Sequence, residues 1–188
     1  MQVVSSTAFR RMPWKNGKGE TAEIAVTPPG ADLAGFDWRI SMATVAEDGP
    51  FSAFPGIDRT LAVLDGAGLR LSIGGAAPVA LTPADAPLAF PADVSAAATL
   101  IGGPVHDLNV MTRRGRFRHR MSRIAAAGEI AAPSAVTVVF ALAALDVRCG
   151  ADHARLARLD AVFALPGERL RLGGAVGAAV LLIGIDPA

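Results

Sequence analysis

Glycine and proline break this chain so often that few stretches are long enough to form a helix. Twenty glycines and 13 prolines divide it into short pieces. Many pieces alternate apolar and polar residues with the two-residue period of a strand. "RTLAVLDGAGLRLSI" reads as strand, glycine turn, strand, with Leu69, Leu71 and Ile73 on one face. "VSAAATLI" and "VHDLNVMTR" follow as strands, then "FRHRMSRI", "AVTVVFAL", "ALDVR", "AVFALP", "RLRLG" and "GAAVLLIGI". Regular short strands joined by turn signals predict an all-β sandwich or barrel.

A faint repeat supports two β units. "APLAFPAD" (86–93) resembles "AVFALPGE" (161–168), and an apolar, Ala-rich strand follows each. The 188 residues suffice for one domain or for two half-domains sharing a core. The expected organisation is a single compact unit over 1–188, with halves near 1–130 and 131–188 and "PSAV" at the boundary.

Composition narrows the function. The formal net charge of +1 favours neither a nucleic-acid binder nor an acidic surface. Cys149 stands alone, so no internal disulfide forms, which fits a reducing compartment. The start lacks the apolar run of a secretory signal, and "GAAVLLIGI" is far short of the roughly 20 residues that span a bilayer. The expectation is a cytoplasmic protein with no membrane partner.

Rare residues point to a site. Both lysines, one of the two asparagines and one of the two tryptophans fall within "MPWKNGKGET", residues 12–21. Trp14, Lys15 and Asn16 combine an aromatic wall, a positive charge and an amide beside two glycines that let backbone approach a ligand. The same stretch also reads as a loop anchored by Trp14. In an extended "WRISM", Arg39 and Ser41 share one face opposite Trp38, Ile40 and Met42, a pattern that otherwise means polar out and apolar in. In "VHDLNVMTR", Asp107, Asn109, Met111 and Arg113 share a face opposite His106, Leu108 and Val110. Arg59 follows a constrained loop, and Asp58 is its candidate partner.

Catalytic and metal signatures are missing. The histidines at 106, 119 and 153 form no ligand spacing, and Cys149 with His153 makes too few ligands. The nucleophile elbow, the P-loop and the dinucleotide fingerprint do not occur. No metal, no cofactor and no catalytic residue is therefore assigned.

Four stretches in order, "MPWKNGKGET" with "AEI" after it, "FDWRISMATVAEDGPFSAFPGIDRTL", "LDGAGLRL" and "GGPVHDLNVMTRRG", resemble the HutD/Ves family. They lie across roughly residues 10–116, and Lys18 departs from the glycine often found there. The resemblance implies a cupin-like β-barrel, in the form of a bicupin of two fused halves. It also implies a regulatory or buffering role in histidine utilisation through binding of a small acidic intermediate such as urocanate or formylglutamate. No reaction is attached to the family; the alternative is a metal-independent cupin-type enzyme acting on a small carboxylate. A homodimer is the default assembly for unpaired edge strands.

On this reading Trp14, Lys15, Asn16, Arg39, Ser41, Arg59, Asp107, Asn109, Met111 and Arg113 form a ligand-binding site. A carboxylate inside an apolar barrel needs positive charge and hydrogen bonds. Arg39, Lys15 or Arg59 supplies the charge. Asp107 either accepts from a ring N–H or holds an arginine in place.

Overall fold

The computed structural model describes residues 1–14 and 19–188. A short strand β1 (Gln2–Val4) and a 3-10 turn (Ser6–Ala8) open the chain. There follow β2 (Arg10–Pro13), β3 (Gly19–Thr27), β4 (Trp38–Val45), β5 (Gly49–Pro50) and β6 (Ile57–Asp65). Next come β7 (Leu69–Ile73), β8 (Val79–Leu81), β9 (Leu88–Pro91), β10 (Ala96–Leu100) and β11 (Val105–Arg113). The later strands are β12 (Phe117–Ala125), β13 (Ala127–Ala131), β14 (Val136–Ala141) and β15 (Leu145–Cys149). β16 (Asp152–Leu156), β17 (Ala161–Ala164), β18 (Arg169–Gly174) and β19 (Ala179–Pro187) complete the series. The strands read from alternation are present, and no helix among the described residues is long and apolar enough to cross a membrane.

Two compact units result, one built from Arg10–Arg118 and the other from His119–Pro187 with Met1–Phe9. The "PSAV" segment at 133–136, read as the boundary, lies inside the second unit, between β13 and the start of β14. The chain changes units instead near the glycine turn between β11 and β12, where Gly115 has φ 78°.

Each unit consists of two sheets. The first unit has a six-stranded sheet, β2-β3-β4-β11-β6-β9, and a four-stranded sheet, β5-β10-β7-β8. The second has a five-stranded sheet, β1-β17-β14-β19-β12, and a four-stranded sheet, β13-β18-β15-β16. The orders β4-β11-β6-β9 and β5-β10-β7-β8 become β12-β19-β14-β17 and β13-β18-β15-β16 when each label is raised by eight. One eight-stranded topology therefore occurs twice. The repeated peptides at 86–93 and 161–168 contain β9 and β17, which are equivalent under this shift.

The two interiors differ in chemistry. In the second unit, Val139, Val147, Leu156, Val162, Leu170, Leu172 and Val180 form an apolar cluster. In the first unit, Val45, Leu61, Val63, Leu69, Leu71, Phe90 and Val105 do the same at one level of the barrel. A second cluster of Phe36, Ile57, Ala92 and Met111 lies further along the same strands. Buried polar residues of the first unit are interleaved with members of both clusters on β4, β6 and β11.

The turn from β6 to β7, which lie in different sheets, shows why glycine is required in places. Gly68 has φ 107°, and a Cβ there would run into the Leu81 carbonyl oxygen on the neighbouring β8. Gly150 also has a positive φ, 58°, but faces open space. Gly68→Ala is expected to destabilise by about 2–4 kcal/mol and Gly150→Ala by about 1 kcal/mol, because only the first adds a backbone clash to the torsional strain. Urea unfolding of both variants measures the difference.

Candidate functional site

Register places the polar residues side by side. Asn109 on β11 stands between Ser41 on β4 and Leu61 on β6, and Ser41 faces Glu23 on β3. Two residues along, Met111 stands between Arg39 and Arg59. Two residues the other way, Asp107 stands between Ala43 and Val63. Directly opposed residues in antiparallel strands share a face. Because Leu61, Val63 and Val105 belong to the inner cluster, this face points into the barrel.

On β4 the alternative of polar out and apolar in does not hold, because both faces are buried. Arg39, Ser41, Arg59, Asp107, Asn109 and Met111 are all buried, and so are Ile40, Leu108 and Val110 on the opposite face. A strand covered on both sides has no solvent face for its polar set, so alternation alone does not reveal which side is interior.

Two connected groups make up the layer. Arg39 Nε donates to Glu23 Oε2 at 2.7 Å, an ion pair whose side chains are 6% and 11% exposed. Arg59 Nε donates to Asn109 Oδ1 at 2.8 Å, and Asn109 Nδ2 donates to Asp107 Oδ1 at 2.7 Å. Asn109 thus links a buried cation to a buried acid, using its carbonyl for one and its amide for the other. The Arg59 guanidinium also lies over two rings, 4.6 Å from the centroid of Phe51 and 5.5 Å from that of Phe90. Such stacking compensates part of the hydration a guanidinium loses on burial.

Burial dominates the electrostatics. It lowers the Arg59 pKa, with Asp107 opposing the shift and Arg39 adding to it. Burial pushes the Asp107 carboxyl up to about 6, against Arg59, the Asn109 hydrogen bond and the Ala43 amide, which favour the charged form.

The remaining candidates divide. Trp14 is half-buried; its Nε1 donates to Thr21 Oγ1 at 2.8 Å, and it packs against the inner cluster containing Leu61 and Val63. Its amide bonds to the Gly19 carbonyl, and a Cβ on Gly19 would strike the indole and the Thr44 carbonyl. The glycine of "KGET" is thus needed for the tryptophan to lie flat. Lys15 and Asn16 lie outside the described residues. Arg113 is not brought to the inner layer: its guanidinium donates to the Phe36 and Ala34 carbonyls. Asp58 pairs with Arg114 at 2.7 Å rather than with Arg59, which turns inward.

Glu23, Phe51 and Phe90 escape sequence reasoning. The period of β3 is interrupted by a register shift between Glu23 and Ala25, which hides Glu23 from an alternation count. Phe51 and Phe90 reach Arg59 from segments distant in sequence, for which one sequence carries no signal.

With this geometry in view, the comparisons fix the family. The HutD family model matches residues 6–182. This chain belongs to the HutD/Ves family. An uncharacterized 21.2 kDa protein in the hutC 3' region of Pseudomonas putida is 36% identical over 75% of this chain and 73% of its own length. Protein Ves of Citrobacter koseri is 39% identical over 60% of each chain. The structure of HutD from Pseudomonas fluorescens SBW25 superposes with a TM-score of 0.84 at 29% identity, covering 100% of this chain and 98% of that one. A salicylate 1,2-dioxygenase from Pseudaminobacter salicylatoxidans is alike in fold alone, at 8% identity and a TM-score of 0.64, over 97% of this chain and 82% of that one. The fold is all-β and cupin-like, and the family is linked to histidine-utilisation gene regions.

Two stability tests follow from the layer. Arg39→Met leaves Glu23 buried without its partner and is expected to cost about 3–5 kcal/mol, whereas the double variant Arg39→Met/Glu23→Leu recovers most of that loss. Urea unfolding of the wild type, the single and the double variant checks this. The second test concerns pH. A carboxyl that holds its proton more tightly in the folded chain stabilises while it is protonated. The Asp107 contribution is therefore fully present below the ordinary value of 3.8 and is lost as pH rises through about 6. The stability of wild type relative to Asp107→Asn is expected to fall by on the order of 2–3 kcal/mol between pH 4 and pH 7. Chemical unfolding at intervals across that range measures it, and a flat difference would contradict the assigned environment.

Proposed function

We propose that this protein binds a small acidic intermediate of histidine breakdown within the Arg10–Arg118 barrel and serves a regulatory or buffering role in that pathway, in the cytoplasm. The observation that carries the reading is the inward polar layer. Two guanidinium groups, Arg39 and Arg59, are buried beside apolar residues in one unit, while the equivalent interior of the other is lined by Val139, Val162, Leu172 and Val180. A fold that only needed to be stable has little use for two buried guanidinium groups, because replacing buried ion pairs by well-packed apolar residues is often neutral or stabilising. A site for a carboxylate does have use for them: guanidinium matches carboxylate geometry, and each charge-assisted bond contributes on the order of 1.5–3 kcal/mol. Family membership supports the pathway, since a relative lies in the hutC 3' region.

Calorimetric titration with urocanate and with N-formylglutamate tests this, followed by analysis of whether either compound was consumed. The expected result is one site per chain with no turnover. Arg39→Lys, which keeps the charge but loses the planar fork, is expected to weaken binding about tenfold or more while the fold persists by circular dichroism. Consumption of the ligand would make the protein an enzyme, and absence of heat with both compounds would remove them as ligands.

A further inference from the structure

The four-stranded sheet of the second unit, β13-β18-β15-β16, carries rows of charge on its outer face. Register sets Glu129, Arg171, Arg148 and His153 level with one another on successive strands. Ala127, Gly173, Asp146 and Arg155 form the next row in the same way. The alternate residues Ile130, Leu172, Val147 and Ala154 pack into the apolar cluster, so both rows look outward. Asp146 is met by His153, and Glu129 by Arg169. Among the described residues, Arg148, Arg155 and Arg171 have no hydrogen bond or ion pair, and all three are exposed. Arg148 stands directly opposite Arg171, with Cβ atoms roughly 5 Å apart, and like charges so placed destabilise a sheet. The fold does not require this. On the equivalent sheet of the first unit the outward positions are Pro50, Ala97, Thr99, Ser72, Ala80 and Arg70, and that arginine faces Thr99 and Ala80. A second feature adjoins the charged rows. An open groove of about 500 Å³ is lined by Arg123, Ile124, Ala127, Gly174, Val176 and Ala178. It meets the outer face at Ala127, and Val176, at the turn from β18 to β19, is fully exposed.

We infer that this face docks an acidic segment of a partner protein, with its carboxylates on Arg148, Arg155 and Arg171 and an apolar side chain in the groove beside Ala127. The surface belongs to the second unit and does not depend on the ligand reading above. Charge complementarity sets the class: three guanidinium forks without partners take carboxylates in paired hydrogen bonds. Their mutual repulsion, a cost to the isolated chain, is relieved when an acid lies between them. Arginine is enriched at protein interfaces, where an apolar centre is bordered by polar groups, and the groove next to the charged rows has that arrangement. Other polyanions fit less well. Single-stranded nucleic acid calls for aromatic side chains on which bases stack, and neither row holds one. A lipid surface is flat, whereas the groove is a recess that an inserted side chain fills.

Binding of labelled poly-L-glutamate to the intact protein tests this, with a short DNA duplex and phosphatidylserine vesicles as the other anions. Wild type is expected to bind poly-L-glutamate more tightly than either, and Arg148→Glu/Arg171→Glu to weaken that binding at least tenfold. Arg118→Glu/Arg120→Glu makes the same change of charge on exposed arginines of β12 and is expected to weaken it less than twofold. A glutamate–leucine copolymer is expected to bind at least threefold more tightly than poly-L-glutamate, and Ala127→Asp to remove that gain. Arg148→Gln/Arg171→Gln, which ends the like-charge opposition, is expected to hold or raise the urea midpoint while weakening binding at least threefold. It is read in place of the charge reversal should the latter disturb the near-ultraviolet circular dichroism. Equal weakening by the two charge reversals, tighter binding of DNA or vesicles, or no binding of either polypeptide would overturn the inference. Absence of the copolymer gain would overturn the apolar contact and with it the docking arrangement. Self-association of wild type in sedimentation, abolished by Arg148→Glu/Arg171→Glu, would assign the face to a second copy of this chain and overturn it too.

Discussion

A guanidinium buried in a β-barrel must be given partners, and the first unit is arranged around doing so twice. Arg59 loses most of its hydration, which lowers its tendency to hold a proton. What opposes that loss comes from three segments: Asn109 and Asp107 on β11, Phe51 after β5, and Phe90 on β9. Arg39 needs a third neighbour strand, β3, to bring Glu23. The central position of β11, paired with β4 on one side and β6 on the other, sets Asn109 between Ser41 and Leu61 and Met111 between Arg39 and Arg59.

The apolar clusters are part of this electrostatic arrangement. Leu61 and Val63 stand level with Asn109 and Asp107, and Met111 stands between Arg39 and Arg59, so apolar residues of both clusters are interleaved with the polar ones. Excluding water strengthens every charge interaction inside and raises the penalty of any that is left unmade. The unmatched Asp107 Oδ2 stands out against that background, because its neighbours in the layer are satisfied.

The polar layer belongs to one of two units with the same strand order. One eight-stranded topology occurs twice, and the copy formed by β12–β19 fills its inner positions with valine, leucine and alanine. The two units thus share a strand order and differ in the chemistry of their interiors. The edges differ too: β2 and β3 extend the large sheet of the first unit, and β1 extends that of the second through β17. It is β3 that contributes Glu23 and Thr21, so the extra edge strands of the first unit complete its polar layer.

The sequence by itself determined the fold class and most of the strands, because glycine and proline punctuation and two-residue alternation are local properties of the backbone. It also determined that Asp107, Asn109 and Met111 share a face, as do Arg39 and Ser41, since spacing along one strand is enough for that. Only the tertiary structure decided that these faces point inward, because strands buried on both sides give no solvent face to read. It decided, too, that Arg59 turns away from Asp58 toward Asn109, and that Arg113 holds the Ala34 and Phe36 carbonyls instead of joining the layer. Glu23, Phe51 and Phe90 came from elsewhere in the chain, through a register shift on β3 and packing across the barrel. Pairing of that kind depends on which strands become neighbours, and a single sequence holds no local signal of it.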